Sequence, residues 1–179
     1  MHRLFVGLRP PAPVRALLLG AMGGVPGARW QGDDQLHLTL RFIGEVEAPT
    51  AEDLAAALLM VRAPPVSVAV AGVGRFERRG RTHTLWAGLA PHAPLSRLHR
   101  QIDGALVGAG LAGEARSYLP HVTLARMNAD EPAVARFLMR HATLASAPFT
   151  IDHFLLYESR LGRDGARYEV VARYPLSPR

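Results

Sequence analysis

At 179 residues, with 49% hydrophobic and 20% charged side chains, the chain can bury one substantial core, which excludes disordered and fibrous classes. It has no Cys, which excludes disulfides, thiolate catalysis and Cys-ligated zinc or iron–sulfur sites. A net charge of +6 and a pI near 10.9 favour an anionic partner such as a nucleic acid or nucleotide, although every basic residue is Arg, and the Ala, Gly and Pro content points to a GC-rich coding bias behind part of that charge.

In chain order, residues 3–8 (Arg-Leu-Phe-Val-Gly-Leu) read as a strand, and prolines at 10, 11 and 13 then open a helix over 14–22 that Gly23-Gly24 ends. A Gly- and Asp-rich loop over 27–34 leads into 35–43 (Gln-Leu-His-Leu-Thr-Leu-Arg-Phe-Ile), whose alternation is that of a strand closed by Gly44. Thr50, with Asp53 in the acidic position of a capping box, is expected to start a helix running to about Arg62. Pro64-Pro65 stops it. Strands follow over 66–73 and 82–89, separated by the most basic segment, Gly74 to Arg81, which reads as a hairpin loop. Leu95, Leu98, Ile102, Ala105 and Leu106 share one face of a helix predicted over 94–107. A strand over 119–126, a helix over 132–141 and strands over 149–157 and 168–174 complete the pattern. No apolar run reaches bilayer length and nothing marks an export signal, so a soluble cytoplasmic protein is expected, without membrane association. The whole chain, 1–179, reads as one bilobal domain and, by default, a monomer.

An internal echo bears on function. His37-Leu38-Thr39-Leu40 and His121-Val122-Thr123-Leu124 lie 84 residues apart, each on a strand followed by a helix. In a strand, alternate side chains share a face, so each His and its Thr point together while the apolar residues point back into a core. One such tetrapeptide carries little weight; two on equivalent strands point to a shared cleft in a duplicated α+β fold. In-line displacement at phosphorus needs a base to deprotonate water and an acid on the opposite side to protonate the leaving oxygen, and imidazole suits both tasks. The Thr hydroxyls can donate to non-bridging phosphate oxygens.

The paired His-x-Thr-x strands resemble the 2H phosphoesterase superfamily. Arg3-Leu4-Phe5-Val6, Arg29-Trp30, Leu36 to Val46, Leu85 to Gly88, Pro120 to Arg126 and Leu156 to Ser159 further resemble the RNA 2′,3′-cyclic phosphodiesterase (2′-5′ RNA ligase) family over nearly the whole chain. The resemblance implies a two-lobed duplicated fold with antiparallel sheets lining a central cleft and helices outside. It also implies His37 as proton donor, His121 as proton acceptor, an RNA with a 2′,3′-cyclic phosphate end as substrate, a 2′-phosphate product and weak reverse 2′-5′ ligation.

Other residues are weighed beside this reading. Arg41 is in phase with His37 and is a candidate to hold phosphate at the cleft edge. Arg126 is out of phase with His121, yet it fills the last position of the family signature and is a candidate ligand contact. Tyr118 is a base-stacking candidate, the Arg75 to Arg81 loop a candidate grip on RNA backbone, and Phe5, Trp30, Phe42 and Trp86 are assigned to the core. No cofactor or metal is implied, since neither motif histidine has a ligand at metal spacing. The alternatives are a non-catalytic nucleotide- or RNA-binding module of the same fold and a phosphodiesterase for small cyclic nucleotides.

Overall fold

The computed structural model describes residues 1–129, 132–162 and 165–177. The strands are β1 (His2–Leu8), β2 (Arg29–Trp30), β3 (Leu38–Val46), β4 (Val66–Arg78), β5 (Arg81–Ala90), β6 (His121–Ala129), β7 (Phe149–Ile151), β8 (His153–Gly162) and β9 (Gly165–Pro175); the helices are α1 (Ala12–Ala21), α2 (Ala48–Leu58), α3 (His92–Gly108) and α4 (Pro132–Arg140). All described strand pairs are antiparallel, in the order β7-β4-β5-β6-β3-β1-β8-β9, with β2 paired to β6.

The order is nearly symmetric about its middle. The run β1-α1-β3-α2 recurs as β5-α3-β6-α4, and β3 meets β6 through the single pair Leu38 and Val122. These are equivalent residues, each one past its motif histidine, and each is fully buried. The duplication expected from the two tetrapeptides is therefore present, and the pseudo-twofold axis runs between the two histidine strands.

Helices cover the apolar face of the sheet. Leu95, Leu98, Ile102 and Leu106 of α3 are all at most 1% exposed, as are Leu54 and Leu58 of α2 and Leu18 of α1. Burying an aliphatic side chain contributes roughly 1.5–3 kcal/mol, so these stripes hold the helices where propensity alone leaves short helices marginal.

Several boundaries differ from the sequence expectation. α2 begins at Ala48 after Glu47, not at a Thr50 cap, because Pro49 sits in the first turn, where its fixed φ and missing N–H cost nothing. β3 runs past Gly44 to Val46, and the expected strand over 149–157 is divided at Asp152 into β7 and β8. The segment from Gly74 to Arg81 is mostly strand: only Arg79 and Gly80 form the turn, with φ of 53° and 74°, the positive pair a tight hairpin turn demands. No described helix is long and apolar enough to cross a membrane.

Candidate active site

His37 immediately precedes β3, and His121 opens β6. Each ring is anchored in the same way: His37 Nδ1 lies 2.7 Å from the carbonyl of Gln35, and His121 Nδ1 lies 2.7 Å from the carbonyl of Leu119. A carbonyl can only accept, so in both neutral rings Nδ1 carries the hydrogen and Nε2 offers its lone pair to the cleft. His37 Nε2 is 3.1 Å from Thr39 Oγ1, which joins the first pair of motif side chains directly. The Gln35 side chain holds the anchor itself, donating from Nε2 to the Ala166 carbonyl of β9 at 2.8 Å.

Aromatic rings fix both imidazoles. Phe5 and Tyr168 lie 4.8 and 4.9 Å from His37 between ring centres; Phe76 and Trp86 lie 4.9 and 6.0 Å from His121. Close packing on the strand behind requires glycine. A Cβ on Gly7 would sit 2.8 Å from the Leu38 carbonyl oxygen and 3.6 Å from His37 Cδ2, and a Cβ on Gly74 would sit 2.2 Å from the Trp86 ring.

Burial pushes His37 down to about 4; the positive charges of Arg126, His121 and Arg9 add to this, while the Gln35 carbonyl opposes it. Burial also lowers His121, with the Leu119 carbonyl opposing and Arg126 adding to the shift. Arg126 thus acts on both imidazoles. Both rings are thus held toward the neutral form, and an anion beside them would favour the charged one.

The strands slip phase just after each motif. β3 pairs Gly7 with Thr39 and Val6 with Arg41, skipping Leu40; β6 pairs Trp86 with Thr123 and Leu85 with Ala125, skipping Leu124. Leu40 and Leu124 are equivalent one-residue bulges, and a bulge exchanges the faces of every residue beyond it. The burial sequence is accordingly identical in both strands: buried, half-buried, buried, buried, exposed over 38–42 and over 122–126.

This shift brings Arg126 to the face shared by His121 and Thr123, which simple alternation did not allow. It takes Arg41 the other way. Arg41 is 7% exposed and spends its guanidinium on Asp103 at 2.6 Å, Glu114 at 3.8 Å and the carbonyls of Phe42 and Ala112. Arg41 thereby ties β3 to α3 and to the segment leading into β6, while it still lines the cavity beside Thr39 and His121, its guanidinium committed to these partners. Phe42 takes the exposed position instead, at 56% exposure, and is not the core residue expected. Phe5 and Trp86 serve as walls for the histidines. Tyr118 stacks on His99 at 4.2 Å between ring centres. In the basic hairpin, Arg75 pairs with Glu77 at 2.9 Å and Arg81 with Asn128 at 2.9 Å, while Arg78 and Arg79 stand exposed at the tip. Among the described residues no group of three or more His, Asp or Glu is arranged to hold a metal ion.

Sequence reasoning missed the two anchoring carbonyls, which leave no residue-type signal, and the exposure of Phe42. That exposure was accessible in one respect, since Phe42 and Arg126 each stand five residues beyond a motif histidine.

A duplicated antiparallel sheet bearing one His-x-Thr-x strand in each half has the architecture of a 2H phosphoesterase. Residues 21–163 match the sequence profile of the 2′-5′ RNA ligase superfamily, and the chain belongs to that family. It is 31% identical over 186 residues to the RNA 2′,3′-cyclic phosphodiesterase of Thermus thermophilus, covering 97% of this chain and 90% of that one. It is 30% identical to the protein of the same description from Geobacillus stearothermophilus, of which it spans half the length. Escherichia coli LigT crystallised with 3′-AMP superposes with a TM-score of 0.81 at 25% identity, over 99% of both chains.

Proposed function

We propose that the chain hydrolyses the 2′,3′-cyclic phosphodiester at RNA 3′ ends to a 2′-phosphate, with His37 and His121 as its acid and base. One observation supports this above the others: two equivalent imidazoles, each pinned through Nδ1 by the carbonyl two residues earlier, so that both Nε2 atoms are left for chemistry. Relatives described as RNA 2′,3′-cyclic phosphodiesterases support the substrate class.

In the proposed reaction His121 Nε2 takes a proton from water as its oxygen attacks phosphorus. The P–O3′ bond breaks on the opposite side, and His37 gives its Nε2 proton to the departing 3′ oxygen. The 2′-phosphate remains on the ribose, and the two rings regain their starting protonation from solvent. Thr39 and Thr123 donate to the non-bridging oxygens, and Arg126, on the same face as His121 and Thr123, holds their charge. With the 5′ hydroxyl of a second RNA in place of water, the same acid–base pair would open the cyclic phosphate to a 2′-5′ diester, the 3′ oxygen again leaving with the proton from His37, and this is the weak ligation. All described acid, base and donor groups in this scheme are side chains, so no cofactor is invoked. The proposal extends to one bilobal unit spanning 1–179, acting as a monomer in the cytoplasm, a setting that suits a cysteine-free chain.

The test uses a short RNA ending in a 2′,3′-cyclic phosphate, and 2′,3′-cyclic AMP, both with EDTA present. A 2′-phosphate product from RNA is expected; turnover confined to the mononucleotide would reassign the substrate class. His37→Ala and His121→Ala should each lower kcat by roughly 10²–10⁴-fold while affinity changes far less. A nitrophenyl phosphodiester hardly needs an acid, so it should partly rescue His37→Ala and not His121→Ala. The reversed rescue pattern would exchange the two roles, and near wild-type rates in both variants on RNA would overturn the two-histidine mechanism.

A further inference from the structure

The two bulges are held by different donors. A bulge leaves its extra residue unpaired in the ladder, here Leu40 in β3 and Leu124 in β6, and the polar backbone groups of that residue must find partners elsewhere. The Leu124 carbonyl accepts from the backbone N–H of Gln31, just beyond β2, at 2.8 Å. The counterpart of Gln31, 84 residues on, is Ala115, within an irregular segment over 111–120 that has no described ladder to β3. In this half a side chain is the donor instead: His99 of α3 gives its Nδ1 hydrogen to the Leu40 carbonyl at 2.7 Å.

The His99 ring is itself fixed. It stacks on Tyr118 with centres 4.2 Å apart and planes 3° from parallel, and both residues line the cavity beside Thr39 and His121. One helical turn further along α3, Asp103 accepts from Arg41 Nε at 2.6 Å, so two adjacent residues of β3 are gripped from one face of the helix. Thr39 immediately precedes the bulge, and its Oγ1 lies 3.1 Å from His37 Nε2. A bulge that relaxes therefore turns Thr39 first, and with it the contact between the two motif side chains.

We propose, on the phosphodiesterase reading above, that His99 is a positioning residue: by holding the Leu40 carbonyl it keeps the bulge that aims Thr39 at the phosphate and at His37. The β6 motif needs no such residue, because the main chain beyond β2 does the same for Leu124. The acid's half of the site thus rests on a side chain that substitution removes, and the base's half on backbone.

The test separates the ring from its hydrogen. His99→Phe keeps an aromatic ring to stack on Tyr118 and removes the donor; His99→Asn keeps an N–H near the place of Nδ1 and removes the ring. On adenosine 2′,3′-cyclic phosphate, His99→Phe should lower kcat by roughly 10- to 100-fold, the scale of a contact misplaced by about 1 Å, with KM changed much less. His99→Asn should recover most of that loss. No loss in His99→Phe, or a loss in His99→Asn as large or larger, would overturn the assignment. His99→Ala, with neither ring nor donor, stands in if His99→Phe does not fold. A double-mutant cycle with Thr39→Val tests the route: once the hydroxyl is gone, losing the His99 donor should cost little more, whereas losses that multiply in full would show that His99 does not act through Thr39. Heteronuclear NMR reads the same geometry without turnover. The Thr39 and Arg41 amide signals should move in the donorless variant and return in His99→Asn, while that of Gln31 stays in place; unmoved Thr39 and Arg41 signals overturn the positioning role. Should wild type fail to hydrolyse the substrate, the phosphodiesterase reading fails, and the NMR comparison still decides whether His99 holds the bulge.

Discussion

The electrostatics of the cleft dictate how activity responds to pH. In the free protein burial holds His37 at about 4 and lowers His121 from its ordinary 6.5. With His37 required in its charged form, only about one molecule in a thousand carries that proton at pH 7, each unit above the pKa costing a factor of ten. The cyclic diester keeps one negative charge throughout, so the protein alone sets the profile. kcat/KM should pass through a maximum between the two lowered pKa values and fall tenfold per unit from a limb below pH 6.5. Exchanging acid and base leaves this shape unaltered, because the product of the two fractions has the same limbs. Bound phosphate favours imidazolium, so the alkaline limb of kcat should lie higher than that of kcat/KM. Arg126→Gln removes a cation that depresses both rings and should move the kcat/KM limb upward. Initial rates on 2′,3′-cyclic AMP from about pH 3.5 to 9, with His Cε1 proton shifts followed by NMR, measure all three quantities. A wild-type kcat/KM limb at or above pH 6.5, or an Arg126→Gln limb that moves down, would refute the reasoning. The same shifts act on stability. A histidine whose folded pKa is depressed binds fewer protons folded than unfolded between about 4 and 6.5, so the folded state weakens as pH falls through that window.

Other consequences follow from packing and charge. Arg41→Ala leaves Asp103 and Glu114 without their shared cation; both carboxylates keep some solvent, so the cost in urea unfolding should be about 2 kcal/mol, short of the ~3–5 kcal/mol of a fully buried pair. A change under about 0.5 kcal/mol, as for ordinary surface substitutions, would remove its structural role. Gly74→Ala places a Cβ 2.2 Å from the Trp86 ring and should cost about 1–3 kcal/mol by overpacking, with kcat lowered because Trp86 backs His121; unchanged melting would contradict this packing. Replacing Arg78 and Arg79 with Ala should flatten the salt dependence of RNA binding by about 0.7 for each phosphate no longer neutralised, and an unchanged slope would leave the hairpin tip merely solvated.

The parts of the fold that rest on periodicity are legible in the sequence. The α3 stripe from Leu95 to Leu106 and the two histidine strands can be read because core faces repeat every 3.6 or 2 residues. Alternation fails where a backbone irregularity intervenes. It puts Arg41 in the cleft and Phe42 in the core because a two-residue period has no means of registering the bulge at Leu40, whose cause lies in pairing with β1. The hairpin loop reads too long for a related reason: two glycines and four arginines look like a loop, yet Gly74 is a strand residue selected by the Trp86 ring across from it. Gln35 reads as the start of a strand, while its importance lies in its backbone carbonyl and in its reach to Ala166.

The bulges give the duplication its chemical meaning. An uninterrupted pair of strands would offer His and Thr from each half and then bury position 126 while exposing position 41, leaving an arginine on the β3 side. With Leu40 and Leu124 bulged, the two halves keep equivalent imidazoles but present a guanidinium on one side and a phenyl ring on the other. A site with twofold-equivalent histidines alone has no preference for which acts as acid. On the proposed reading, the difference between positions 42 and 126 breaks that equivalence, because only the β6 half then presents a cation to the phosphate.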